Sequence, residues 1–208
     1  MTQLTPRGRP LDDELTARVL DEVRSRLDAV GMVSLRIENV AAAVGCSKTA
    51  IYRRWPNKAE LVAAAILEGI SIGRTPDTGD VVEDLVEHAW QHLVNFRQEG
   101  ASEHRQNGVL LALFDLEVIP LISEGYMQAR HVIGRDILER AQFREQIGAD
   151  LDHDLILDAI AGFTLFRLSV KPDSKAHTDA EMKDSYRRLI RSLLSSSSRA
   201  ARRATTSV

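Results

Sequence analysis

Gly45 on one side and Trp55-Pro56 on the other fence off Cys46 to Arg54, a stretch with room for a turn and about two turns of helix. Gly45 ends the short periodic run Ile37–Val44 and is free to take the left-handed conformation that a helix terminus favours. Ser47 is placed to cap a following helix, and the restriction Pro56 puts on Trp55 stops that helix near Arg54. A helix, a tight turn and a second short helix make a helix-turn-helix pair.

The two faces of that pair differ in chemistry. Val40, Ala41 and Val44 can face the following helix, Cys46 can bury as a small hydrophobe, and Ile51 anchors the third helix inward. Lys48, Thr49, Ala50, Tyr52, Arg53 and Arg54 then point outward, a hydrogen-bonding and cationic set suited to a major groove. An ordinary solvated helix face would account for the Lys and Arg. It would not account for Gly45, Ser47, Tyr52 and Lys58 standing together in this order.

Helical periodicity continues on both sides. Leu15, Val19, Val23, Leu27 and Val30 predict a helix over Asp12–Val30, stopped by Gly31. Asn57 and Glu60 resemble a capping box ahead of a fourth, linking helix with the stripe Leu61, Val62, Ala65, Ile66 and Ile70. Ser71–Asp80 gathers turn formers and marks a domain boundary. Beyond it Val81–Phe96, Gln106–Leu116, Pro120–Ala141, Asp154–Ser169 and Ala180–Leu194 all favour helix, with no sustained strand-like alternation, so the fold is all-α.

Composition bounds the setting. With 208 residues and 44% hydrophobic content, the chain can bury one generous core or two modest ones. No long uncharged apolar run exists and Met1–Pro10 is polar and basic, so neither a membrane span nor a secretion signal is expected. The single cysteine, Cys46, rules out an internal disulfide and a cysteine-rich zinc finger, and a cytoplasmic location is expected. Met1–Lys58 carries 10 Lys and Arg against 7 Asp and Glu, and Ala59–Val208 carries 17 against 23. A basic nucleic-acid-facing part joined to an acidic partner part has this asymmetry.

The run Gly45-Cys46-Ser47-Lys48-Thr49-Ala50-Ile51-Tyr52-Arg53-Arg54-Trp55-Pro56-Asn57-Lys58 resembles the signature of tetracycline-repressor-like (TetR) regulators, and the likeness extends from Gly8-Arg9-Pro10 through the fourth helix. The link Thr75-Pro76-Asp77-Thr78-Gly79 and the helices after it resemble the regulatory domain of one subgroup of that family. The resemblance implies a DNA-binding domain with its linking helix at 11–72 and an effector-binding and dimerisation domain at 73–194. A flexible basic arm is expected at 1–10, and a disordered tail at 195–208, where a run of four serines and three arginines among small residues offer too few apolar groups to offset the entropy of ordering. It also implies that Lys48, Thr49, Ala50 and Arg53 reach base edges while Tyr52, Arg54 and Lys58 hold phosphates, with Ser47 at the cap. Arg36 departs from the usual Thr or Ser capping the second helix, and could meet phosphate instead. Arg7 and Arg9 are candidates for an arm in the adjacent minor groove.

The implied function is a repressor that binds a palindromic operator in double-stranded DNA as a homodimer and is released by a small organic effector. Asp154–Ser169 is apolar nearly all round, which calls for cover by a second subunit, so Leu155, Phe163, Phe166, Tyr186, Leu189 and Leu193 are expected at a dimer interface. Pocket candidates are His88, His92, Phe96, Phe114, His131 and Phe166. The alternative is a DNA-binding dimer whose second domain takes no ligand and serves dimerisation or protein contacts. No cofactor or metal is expected, since His88 and His92 lack two further zinc ligands nearby in sequence. Nor is an enzyme expected: Cys46 lies within the DNA-reading unit, Ser195–Ser198 within the tail, and no phosphate-cradling glycine loop is present.

Overall fold

The computed structural model describes residues 10–96, 112, 114–169 and 178–205, with side chains described for 13–96, 112, 114–168 and 178–195. Every regular element among them is helical. They are α1 (Pro10–Ser34), α2 (Ile37–Val44), α3 (Lys48–Tyr52), α4 (Lys58–Leu67), α5 (Val81–Phe96), α6 (Ile119–Ile122), a π-helical turn at Ser123–Met127, α7 (Gln128–Phe143), α8 (His153–Ser169) and α9 (Asp179–Thr205). None is long and apolar enough to cross a membrane. The chain divides into two compact units, Met1–Ile70 with Gly100–Gly125, and Ser71–Glu99 with Tyr126–Val208.

In the first unit α1 packs on α2 and α4, and α2 packs on α3. Val19, Val23 and Leu27, three of the residues whose spacing predicted α1, are buried with Val40, Ile51, Leu61 and Val62. Fully burying each such side chain is worth roughly 1.5–3 kcal/mol. Gly31 (φ 72°, ψ 171°) breaks the helical backbone where a stop was expected, but one more turn follows it to Ser34, so the residue is a kink. Two α1 arginines reach the carbonyl ends of neighbouring helices: Arg18 donates to Val44 O, and Arg24 to Ala65 O at 3.1 Å. Cations there meet otherwise unpartnered carbonyls and the negative end of the helix dipole. The fourth helix ends at Leu67, short of the predicted Ile70. Residues 73–194 are expected in the second domain, yet α6 packs on α4 of the first unit, with Val118 and Ile122 buried.

In the second unit α5 is the central element, touching α7, α8 and α9. Leu85, Ala89 and Leu93 from α5 pack with Ile137 and Leu138 from α7, Ile156 and Ile160 from α8, and Tyr186 and Ile190 from α9. Ion pairs fix α9 along α5: Arg187 reaches both oxygens of Glu83 at 2.6 and 2.8 Å, and Lys183 reaches Glu87 at 3.0 Å. Thr75–Asp80, read as a turn-rich link, is fastened to this unit. Arg140 donates to Pro76 O at 2.6 Å, Arg144 pairs with Asp77 at 2.6 Å, Thr78 Oγ1 donates to Asp84 at 2.7 Å, and Gln146 donates to Gly79 O at 2.5 Å.

Two further expectations are corrected. The helix expected over Pro120–Ala141 is interrupted by the π-turn. The tail after Leu194, expected to be disordered, continues α9 as helix to Thr205, in keeping with its alanines and arginines, which are strong helix formers. The helix expected at Gln106–Leu116 lies mostly outside the described residues, as do Arg7 and Arg9.

Candidate nucleic-acid interface and a cavity of the second unit

The turn between α2 and α3 is built by Gly45 at φ 71°, ψ 36°. Its N–H donates to Ala42 O at 3.3 Å, and that of Cys46 donates back to Ala41 O at 2.9 Å, the two bonds of a Schellman closure. Ser47 is extended and its Oγ accepts from Ala50 N at 3.2 Å, starting α3 as expected. Regular helix ends at Tyr52, earlier than the predicted Arg54, and the N–H groups of Arg54 and Trp55 turn back to Ile51 O at 2.9 and 3.0 Å. Asn57 caps α4 by accepting from Glu60 N at 2.8 Å, while the Glu60 carboxylate takes the Asn57 amide at 3.0 Å, so the cap is one-sided instead of a reciprocal box.

Ile51 is the buried residue of α3, 1% exposed, and Trp55 is buried just beyond it. Lys48, Thr49, Tyr52 and Arg53 are exposed, as are Arg36 and Ser47, while Ala50, Arg54 and Lys58 are half-buried. Arg54 folds back to donate to Ala50 O at 3.0 Å. Arg36 occupies the cap position of α2 without a side-chain capping bond, the loss expected from its departure from Thr or Ser. The first unit thus offers a short helix with one anchored side and one polar, cationic side.

The second unit holds a partly open cavity of about 170 Å³ lined by α5, α7 and α8 with Met127. His88, His92 and His131, three of the expected pocket residues, line it. Phe96 is instead buried against His92 and Tyr126, with centroids 5.1 and 5.7 Å away; Phe166 is 47% exposed and Phe114 51% exposed, and none of the three reaches the lining. A Cβ on Gly134 would stand 2.4 Å from Leu157 Cδ2, so α7 approaches α8 here as closely as a glycine allows.

Polar groups in and behind this wall form three sets. Asn95 Nδ2 donates to Tyr126 Oη at 2.8 Å, and the same hydroxyl lies 2.9 Å from His92 Nδ1. Burial, with the Arg130 charge adding to it, pushes His92 down to about 4 and His88 to about 3, so both rings are neutral near pH 7. His88 Nδ1 has no hydrogen-bond partner among the described residues. Arg130, 4% exposed, donates to Ile72 O at 2.7 Å, to Gln91 Oε1 at 3.3 Å and to His88 O. His131 lies nearer the surface, with Nε2 2.9 Å from Asp154 Oδ1, which Arg135 shares at 2.6 Å.

Arg130 was missed by the sequence reading although a signal existed. Arg130, Gly134, Ile137 and Ala141 follow helical spacing, and a charged residue on an otherwise apolar stripe points to a buried charge. Among the expected interface residues, Leu155 is 64% exposed and Phe166 half exposed, whereas Phe163, Leu189 and Leu193 are half-buried. Tyr186 corrects the expectation: it is fully buried in its own core, edge-on to Phe163 with centroids 5.4 Å apart, and its hydroxyl meets Thr164 at 2.8 Å, so it has no surface for a partner. Among the described residues no group of three or more His, Cys, Asp or Glu is placed to hold a metal ion.

Comparison with known proteins accounts for both units. Residues 22–65 match the family model described as bacterial regulatory proteins, tetR family, and residues 75–182 match the tetracyclin repressor-like, C-terminal domain. An uncharacterized HTH-type transcriptional regulator of Mycobacterium tuberculosis is 30% identical over 160 residues, 76% of each chain. The DNA-binding transcriptional repressor TetR of Mycobacteroides abscessus is 28% identical over 137 residues, 64% of this chain and 71% of that one. The solved structure of GusR from Salmonella enterica superposes with a TM-score of 0.69 at 18% identity, covering 92% of this chain and all of the other, a likeness of fold. The chain therefore belongs to the TetR family of DNA-binding transcriptional regulators, and is not an enzyme.

Proposed function

We propose that this regulator is a repressor that binds a palindromic operator as a homodimer and is released when a small organic molecule enters the cavity of its second unit. The observation that carries the DNA half is the α2–α3 turn. Left-handed Gly45 and the Ser47 cap hold a helix whose buried residue is Ile51, so Lys48, Thr49 and Arg53 are displayed together with Ala50 at its edge. Lys48 and Arg53 supply donors for guanine acceptors, and Thr49 and Ala50 supply methyls for thymine. Tyr52, Arg54, Lys58 and Arg36 surround them as phosphate ligands that set position without reading sequence. The relative from Mycobacteroides abscessus, named a repressor, supports the sign of regulation.

Dimerisation is favoured by the apolar groups that α8 leaves in solvent, Leu155 and Phe166. Two recognition helices must meet half-sites about 34–36 Å apart, so a ligand that shifts their separation loses both sets of contacts at once. The cavity supports the ligand-released reading over a purely dimerising domain, because its open side gives access to about 170 Å³ of space with a mostly apolar wall and a few polar groups, the make-up of a small-molecule site. Gel-shift binding to the DNA upstream of the chain's own gene tests the proposal. Saturable binding that survives excess nonspecific DNA is expected, and binding without sequence preference would overturn it.

A further inference from the structure

Among the described residues Arg130 is a buried cation without a buried counter-charge. Its described acceptors are two backbone carbonyls and a glutamine amide oxygen, all neutral, and its Nε has no acceptor. Taking a guanidinium out of water costs several kcal/mol unless a charge or a full set of hydrogen bonds compensates. Arg130 forms part of the cavity wall, and so does His88, whose Nδ1 is likewise unpartnered. Among the lining residues Asp158 is the carboxylate, and it is exposed. The remaining wall is mostly apolar, with Ala89, Leu157, Ile160 and Ala161.

We propose that the cavity takes a small organic anion, a compact aromatic or branched aliphatic monocarboxylate about the size of benzoate. This rests on reading the cavity as the effector site. The carboxylate would compensate the Arg130 charge and occupy the polar end of the cavity with His88, while the hydrocarbon body lies against Ala89, Leu157 and Ile160. Size agrees with chemistry: an apolar cavity of roughly 150 Å³ admits benzene, and this one is about 170 Å³. Charge-assisted hydrogen bonds to a guanidinium are stronger than neutral ones, and stronger still away from water. A neutral molecule of the same shape would leave the buried charge as it stands.

Three probes matched in shape test this: benzoate, benzamide and benzylamine, titrated by calorimetry against the full chain at pH 7. Benzoate is expected to bind about tenfold or more tightly than benzamide, with no detectable benzylamine binding. Arg130→Met should remove that preference while leaving benzamide unchanged, and Arg130→Lys should keep part of it, which separates loss of charge from loss of the clamp on Ile72. Should Arg130→Met fail to fold, the ranking of the probes on the native chain decides. Equal binding of benzoate and benzamide, or no binding of either, overturns the anion site. A gel shift with the same probes keeps the two readings apart: release of DNA by a neutral ligand upholds the effector role without the anion, and benzoate binding without release upholds the anion site alone.

Discussion

Lys48 Nζ lies 2.5 Å from Glu38 Oε1, joining the first turn of α3 to the first turn of α2. Their hydrogen bond holds the Glu38 carboxyl below its usual range and raises the Lys48 ammonium above its own. In the free protein one proposed base-reading cation is therefore already engaged, and an exposed carboxylate stands beside it. Glu38→Gln should tighten operator binding by about two- to fivefold, the scale of an exposed ion pair. Fluorescence anisotropy at fixed salt measures it, and weaker binding would show that Glu38 positions Lys48 for DNA.

Base and phosphate ligands should separate in their sequence dependence. Arg53→Ala is expected to cost about 1–3 kcal/mol at its base pair and to relax preference there. Tyr52→Phe and Lys58→Ala should weaken binding to all sequences alike, with Lys58→Ala lowering the salt slope by about one. A panel of operator variants distinguishes the two; a change of base preference in Tyr52→Phe would contradict its placement on phosphate.

The turn itself should be costly to alter. Gly45→Ala puts a Cβ into the left-handed region at about 1–2 kcal/mol, and Ser47→Ala removes a cap worth typically ~1 kcal/mol. Each should lower the melting temperature by several degrees and weaken DNA binding further than the lost stability explains, since both changes reorient α3. Thermal melts paired with anisotropy report both effects.

The histidines predict a pH window. His88 and His92 fall from 6.5 to about 3 and about 4 on folding, so between those values and 6.5 the unfolded chain takes up protons that the buried rings refuse. Stability is therefore complete above about pH 6.5 and is lost as pH falls toward 4. The paired carboxylates Asp77, Glu83 and Asp154 are also lowered, but from 3.8 or 4.5, so their loss comes at lower pH. Melts between pH 7 and 5 should steepen in the native chain and flatten in His92→Phe; equal slopes would place the effect elsewhere.

Gly134→Ala should lower the melting temperature, because the added methyl meets Leu157 across α7 and α8 and overpacking typically costs 1–3 kcal/mol. A matched melt of Gly125→Ala, where a Cβ meets nothing within 4 Å, serves as the control.

The turn chemistry was the most legible part of the sequence, because it is local. Gly45, Ser47 and Asn57 each act within a few residues of themselves, and the structure places each where its spacing indicated. Element boundaries were less legible: the helix breaks at Gly31 as its left-handed φ requires, but a further, largely exposed turn runs on to Ser34, and α3 and α4 end short of Arg54 and Ile70. The cavity was legible only in part. His88 and His92 lie on one helix, but Arg130 joins them through tertiary contact, and Phe114 and Phe166 share only their chemical type with a pocket lining. Tyr186 shows the same limit, since helical spacing finds an apolar stripe without saying whether its own chain already covers it.

Thr75–Asp80 has no helix of its own and is held down by side chains of α7, the α5 carboxylate Asp84 and Gln146. Such a fastening responds to ionic strength where a hydrophobic one would not, because exposed pairs such as Arg144 and Asp77 are screened over about 10 Å at 0.1 M salt. Limited proteolysis within Thr75–Asp80 should therefore accelerate as salt rises, at concentrations that leave the helices on either side intact.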